Sequence, residues 1–401
     1  MSGRLVLLAK GLQDVYLTTN PEMNIFKYVH YRYVNFSNEI HQIQLNTTAE
    51  FGSSSYVNIP KNGHLLSKMY LHLKIPALVS TQPDTYCSWS DTLGYSIFDG
   101  PVELVIGGVI IDRVYPVGLD MLNELKIKSN GHNNMILKGD MFRDSMHNAE
   151  KIVDLMIPLD FWFTKDYSLA LPLLSITHQD IRLNFNFHKF ESVINYDSIL
   201  PPEQVNIISS ELYVEYLFLD DVILDQFQKQ KHQYVITQMV YNGDDIIPAN
   251  QPIFNTKINF VNPCEELLFA CVDQNNLDNN NYFNYSRRID DVPLISQIKL
   301  LFDGKNRYDI SYLPEFIFRQ LLPDRIHTNI PTKHMYTMPF CIKPDDTQRT
   351  GSINFSRFNE IILSLQMTPN NPACKLYLFG MNINVVTIEN GILSLEFMNN
   401  N

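Results

Sequence analysis

The chain is poor in charge, tryptophan and cysteine. Charged residues make up 18% of its 401 positions, a low share for a monomeric soluble surface. Much of that surface is therefore expected to meet protein rather than water. Net charge is -12, from 31 basic and 43 acidic side chains, and no run of Lys or Arg occurs. Nucleic-acid affinity rests mainly on clustered basic residues, so the balance argues against a phosphate-binding surface. Two tryptophans, Trp89 and Trp162, leave little for a sugar-stacking groove. The cysteines Cys87, Cys264, Cys271, Cys341 and Cys374 are odd in number and fit neither a zinc knuckle nor a disulfide framework. No stretch approaches the roughly 18 apolar residues that cross a bilayer, and the opening run between Arg4 and Lys10 is too short for a signal peptide. The expectation is synthesis in a cytosol, as a protein not integral to a membrane.

Familiar catalytic patterns are also missing. The histidines show no H-x-H or H-E-x-x-H spacing, and there is no Cys-x-x-Cys, no G-x-S-x-G elbow and no phosphate-binding glycine loop. His178 reads as a structural histidine beside a strand. Four Asp pairs occur, at Asp220-Asp221, Asp244-Asp245, Asp290-Asp291 and Asp345-Asp346. They sit in turn-like or helix-start stretches, where Asp caps backbone N–H groups. No catalytic residue, metal ligand or cofactor is expected. Sequons stand at Asn35, Asn46, Asn284 and Asn354 and matter only on a secretory route.

What is present is β pattern, twice over. In Ile157 to Phe187, the residues Ile181, Leu183, Phe185 and Phe187 alternate with Arg182, Asn184 and Asn186. That is a strand with one buried and one wet face. The stretch Met338 to Met367 echoes it with Ile361, Leu363, Leu365 and Met367, placing Ser364 on the outer face. Ile181 and Ile361 are 180 positions apart. Gly107-Gly108 and Asp303-Gly304, 196 apart at their second glycines, each interrupt apolar β-branched runs as hairpin turns do. Each hairpin is followed by a short helical stretch, from Gly118 and from Leu313. Features recurring in one order at similar offsets indicate a duplicated domain.

The remaining segments fill in that plan. Residues 1–24 form an N-terminal arm that repeats nothing in the second half. Strands are expected from Phe26 onward, with Met69, Leu71, Leu73 and Ile75 inward. Asn130 to Asn134 reads as a loop tip and Asn275 to Asn281 as a polar loop. A first domain covers 25–218, a linker helix 219–233 holds Ile223 and Phe227 on its inner face, and a second domain covers 234–401. Asn390-Gly391 turns a last hairpin. Short strands separated by Gly, Pro, Asn and Asp fit two β-sandwiches, an all-β chain, better than any βαβ layout.

Laid out in order, these residues resemble the major capsid proteins of nucleocytoplasmic large DNA viruses, of iridovirus and phycodnavirus type. The resemblance is carried by GLQDVYLTTNP (Gly11 to Pro21), LALPLLSITHQDIRLNF (Leu169 to Phe185), YLFLDDVILDQFQKQKHQYVI, LLFDGKNRY (to Tyr308) and SINFSRFNE (Ser352 to Glu360). The chain departs from the family where a basic cluster is common, at Val222 to Asp225, and in its compact loops. The resemblance implies a double jelly roll, two consecutive eight-stranded sandwiches with short helices in linker and loops. It implies a non-enzymatic virion protein whose homotrimers form pseudo-hexagonal capsomers of an icosahedral shell. The partners it implies are further copies of the chain, minor capsid proteins and the inner viral membrane, with no direct contact to nucleic acid. Leu5, Val6, Leu7 and Leu8 would dock against a neighbour on the inner side of the shell. The alternatives are a membrane-shaping scaffold similar to that of poxviruses, a minor capsid paralogue, and a carbohydrate-binding or glycan-cleaving sandwich.

Overall fold

A computed structural model describes residues 2–80, 82, 85–126, 130–137, 149–287, 291–344 and 346–397. It divides into two compact units, Met1–Phe36 and Ser37–Asn401. In the first unit the apolar run forms a helix, Ser2–Leu8. A 3-10 turn follows at Leu12–Asp14, where the Gly11 N–H donates to the Asp14 carboxylate at 2.7 Å, and then a helical turn at Val15–Thr18. From Thr19 to Asn35 there are turns but neither helix nor strand. The sequence leads one to expect strands from Phe26, yet the first begins at Phe36. Its alternating pattern does not suffice, because a strand exists only where a second strand satisfies its backbone.

The second unit holds two lobes built on one plan. The first uses β1 (Phe36–Gln44), β2 (Ser54–Ile59), β3 (Leu65–Ile75), β4 (Val102–Ile106), β5 (Val109–Val114), β6 (Val153–Pro158), β7 (Ile181–Asn186) and β8 (Ser209–Leu219). The second uses β9 (His232–Tyr241), β10 (Ile253–Lys257), β11 (Pro263–Asp273), β12 (Ile295–Phe302), β13 (Lys305–Asn306), β14 (Met335–Pro339), β15 (Ile361–Met367) and β16 (Cys374–Glu389), and adds β17 (Ile392–Leu395). The first lobe's sheets run β1-β8-β3-β6 and β2-β7-β4-β5. Adding eight to each label gives the sheets of the second lobe, β9-β16-β11-β14 and β10-β15-β12-β13. The first strand of each lobe pairs with its last, the crossing that defines a jelly roll. The chain is a double jelly roll.

The alternation read in the sequence is the burial seen in the fold. Ile181, Leu183 and Phe185 on β7 are buried, with Leu183 opposite both Val57 and Leu104. Met69, Leu71, Leu73 and Ile75 on β3 are buried between β8 and β6. In the second lobe Leu363 faces Leu300 and Leu365 faces Ile298. Three hairpins turn on two residues each with positive φ: Gly107 and Gly108 at 60° and 81°, Asp303 and Gly304 at 46° and 78°, Asn390 and Gly391 at 53° and 81°. That pair of angles matches the strand twist and explains why glycine or Asn/Asp-Gly stands there. The helix between the lobes spans Asp221–Lys229, with Phe227 packed on Leu65, Ala170 and Leu217.

Three local expectations are corrected. Ser364 is buried, because Tyr312 lies over it and the two hydroxyls sit 2.9 Å apart. Asn130–Met135 is helical rather than a loop tip. The polar stretch after Asp273 begins as a helix, Gln274–Asp278, and buries Asn276, whose amide donates to the carbonyls of Asn284 and Ser286. Asparagine runs read as loops when no such internal partners are known.

Candidate assembly surfaces

The two lobes are joined through the helix Pro116–Leu125, which follows β5 of the first lobe and opens with proline in its first turn. Met121 and Leu125 pack on Leu268, Ala270, Met335, Phe379 and Met381 of the second lobe. The alternate residues of β11, Leu267, Phe269 and Cys271, face the second lobe's own core. β11 is therefore covered on both faces, which accounts for its nearly unbroken apolar run, LLFACV. Gly118 permits the approach: a Cβ there would stand 2.0 Å from the Met239 sulfur.

The charged groups of the helix, Asp120 and Glu124, are answered across this seam. The fully buried Asp120 carboxylate accepts from the Lys333 ammonium and from the Tyr285 hydroxyl, each at 2.8 Å. Burial alone would pull Lys333 down, but Asp120 beside it holds it above its ordinary value. Burial, and then the same carboxylate, pushes Tyr285 well up. The Glu124 carboxylate accepts from the Thr332 N–H at 3.0 Å and its hydroxyl at 2.8 Å. The Asn329 N–H donates to the Leu125 carbonyl at 3.1 Å, so the second lobe caps the helix end.

Two further seams hold the lobes. The Leu393 N–H donates to the Gln179 amide oxygen at 2.6 Å, and the His178 N–H to the Gly391 carbonyl at 3.1 Å. Val386, Ile388 and Leu393, at the end of β16 and on β17, complete the core of the first lobe. Elsewhere the Tyr282 hydroxyl donates to the Ser192 carbonyl at 2.9 Å, and its ring stacks on His188 at 5.4 Å. Apolar contact and hydrogen bonds at these seams join the lobes into one compact unit.

Among the described residues the paired acids serve turns, helix starts and local ion pairs. Asp220 and Asp221 start the linker helix. Asp244 pairs with Lys375 at 2.6 Å and accepts from the Tyr241 hydroxyl, while Asp245 accepts from Thr256. Asp291 lies in a left-handed turn, and Asp346 accepts from the Gln348 N–H. Asp290 and Asp345 lie outside the described residues, as does Met1 of the arm. Among the described residues no three His, Cys, Asp or Glu side chains are placed to hold a metal. One titratable group at the seam stands out. Asp112 on β5 is buried, accepts from the Arg113 N–H at 2.9 Å, and is pushed by burial up to about 7.

Among the described residues, two of the grooves between the lobes have mainly apolar or aromatic walls. One, of about 690 Å³, is lined by β5, β9 and β17, with Val109, Ile110, Ile111, Val240, Ile392 and Leu393 among its walls. The other, of about 510 Å³, is walled by Tyr115, Tyr241, Tyr282 and Tyr377. In the arm, Leu5, Val6, Leu7 and Leu8 lie on the helix Ser2–Leu8 and are 67%, 73%, 71% and 80% exposed. The seams were not foreseen from sequence. The only signal was Asp120 and Glu124, two acids four apart inside an apolar helical run, which have to find partners when buried.

Known proteins share this arrangement. A family model described as the major capsid protein N-terminus matches residues 24–220, and one for the large eukaryotic DNA virus major capsid protein matches residues 224–394. The chain is 27% identical to the major capsid protein of Pyramimonas orientalis virus over 99% of both chains. It is 24% identical to that of Paramecium bursaria Chlorella virus 1 over 98% of both. Among solved structures, the quasi-atomic model of the PBCV-1 virus capsid superposes with a TM-score of 0.81 at 21% identity, covering 94% of this chain and 100% of that one. The Faustovirus major capsid protein gives 0.76 at 14% identity, covering 95% and 94%.

Proposed function

The chain belongs to the major capsid protein family of large eukaryotic DNA viruses and is a structural, non-enzymatic protein of the virion shell; from that premise we propose that it assembles as a homotrimeric capsomer, made in the host cytoplasm. The observation that carries the proposal is the repeated strand order of two lobes locked into one block. Three copies of a two-lobed block give six similar lobes, so a pseudo-hexagonal unit fills six-coordinated lattice positions with only three-fold closure. The low charge of the chain suits large permanent contacts between copies.

The arm is the inward element of this reading. Leu5, Val6, Leu7 and Leu8 dock on the inner side of the shell, against minor capsid proteins that line the internal membrane. Light scattering tests the trimer: a mass near three times 46.5 kDa is expected, and it should change little with salt, since apolar contacts are screened far less than ion pairs. Monomer at micromolar concentration sinks the trimer. Deleting residues 1–10 tests the arm: trimers should keep their melting temperature while recruitment of inner partners fails. A melting temperature several degrees lower would instead make the arm part of the fold.

A further inference from the structure

The two lobes share a plan, yet their matching sheets are not equally covered. In the second lobe the sheet β9-β16-β11-β14 carries Leu268, Ala270, Phe379 and Met381 on the face turned from its own core. The first lobe's helix Pro116–Leu125 packs there through Met121 and Leu125.

The matching sheet of the first lobe is β1-β8-β3-β6. Its strands bury Met69, Leu71, Leu73, Leu155, Leu212 and Val214. Side chains alternate between faces, so Tyr70, His72, Met156, Glu211 and Tyr213 stand on the outer one, and all five are half-buried. Tyr213 is opposite Tyr70, and His72 is opposite both Glu211 and Met156. On the edge strand β1, Ile40 is 70% exposed.

A helix to match is also present. The helix Pro116–Leu125 follows β5 and is anchored in its own lobe by Leu119. In the second lobe a helical stretch, Ile317–Leu321 and Leu322–Ile326, follows β13 and is anchored by Phe318. Leu119 and Phe318 are 199 positions apart, close to the 196 between the hairpins that precede them. Among the described residues there is no third lobe for this second stretch to cover. Phe316 and Leu321 are accordingly 49% and 50% exposed.

We propose that the stretch 316–326 of one copy packs on the outer face of β1-β8-β3-β6 of the next copy, with Phe316 and Leu321 against Tyr70, Tyr213 and Met156. It repeats between chains the contact that the helix Pro116–Leu125 makes within one. This rests on the self-assembly proposed above and names the two surfaces that carry it. The contact is head-to-tail, so a rotation from lobe to lobe that closes after six lobes makes a ring of three copies and leaves neither surface unpaired. The receiving face is more polar than its counterpart, with His72 held between Glu211 at 3.3 Å and Asp154 at 3.1 Å. A face that meets water until copies associate has to be so, while its counterpart is covered as the chain folds.

The test uses the full chain with Phe316→p-benzoylphenylalanine, co-assembled with nitrogen-15-labelled wild type, irradiated and read by mass spectrometry. Crosslinks joining a light to a heavy chain at residues 70–74, 154–158 or 211–213 are expected. Tyr213→Arg in the labelled chain should cut their yield about tenfold, while Val222→Arg, on the helix between the lobes, should leave it unchanged. Leu321→Arg in the light chain should give the same reduction from the other side, so a folding defect in one variant does not decide the result. An unchanged yield in both variants, crosslinks within a single chain, or crosslinks between chains at other surfaces overturn the inference while leaving the trimer standing. Absence of crosslinks in a sample of trimer mass does the same. A monomer mass by light scattering overturns the trimer together with this contact, so the two failures are told apart.

Discussion

Asp120 of the first lobe and Lys333 of the second lie 2.8 Å apart, with the carboxylate fully buried. Neither group is stable there without the other. Asp120→Ala should cost roughly 3–5 kcal/mol, the usual penalty for breaking a buried pair and leaving one charge behind. Asp120→Ala with Lys333→Met should recover most of that loss, because no charge is then stranded. Thermal unfolding of both single variants and the double variant measures this. Equal losses in all three would mean the pair does not join the lobes.

Each jelly roll depends on its own alternating strand. Ile181→Asp and Ile361→Asp put a carboxylate at positions now 1% and 3% exposed. Losing the side chain and burying an unpaired charge should together cost roughly 3–5 kcal/mol. Arg182→Asp, on the exposed face of the same strand, should cost far less. Soluble yield and limited proteolysis would report the difference. Normal yield and protease resistance in both Ile variants would refute the register.

Ser364 offers a sharper test of the second lobe. On sequence alone it belongs to a wet face, but Tyr312 covers it. Ser364→Ala should therefore cost about 1 kcal/mol, the worth of one buried hydrogen bond. Ser364→Asp should be much worse, since its charge would be shut beneath the Tyr312 ring. Calorimetry on the two variants decides, and no loss in Ser364→Asp would return the residue to the surface.

The lobe seam should weaken as pH rises. Burial raises Asp112 from its ordinary value of 3.8 to about 7. The folded state thus holds this proton more tightly than the unfolded one between pH about 4 and about 7. Stability from this group is full below the lower value, falls through that window and is flat above it. Asp112→Asn can still accept from the Arg113 N–H and carries no charge. It should raise the melting temperature at pH 8 by several degrees and do much less at pH 5. An equal shift at both pH values would assign the effect to packing.

What the chain could say unaided was local. Two-residue turns at Gly107-Gly108, Asp303-Gly304 and Asn390-Gly391 follow from backbone angles that few residues adopt. The strands of Ile181 and Ile361 follow from a side-chain period of two. Their recurrence in one order disclosed the duplication, and the family resemblance of the motifs added the double jelly roll. Tertiary structure alone decided how the lobes are joined. The helix from Pro116 meets β11 some 150 positions later, and the tip of β16 with β17 finishes the core of the other lobe. Nothing periodic marks such contacts, because they depend on which faces two folded lobes present to each other. For the same reason Ser364 looks exposed until Tyr312 is folded over it. Alternation records that a strand has two faces, and only packing determines what covers each of them.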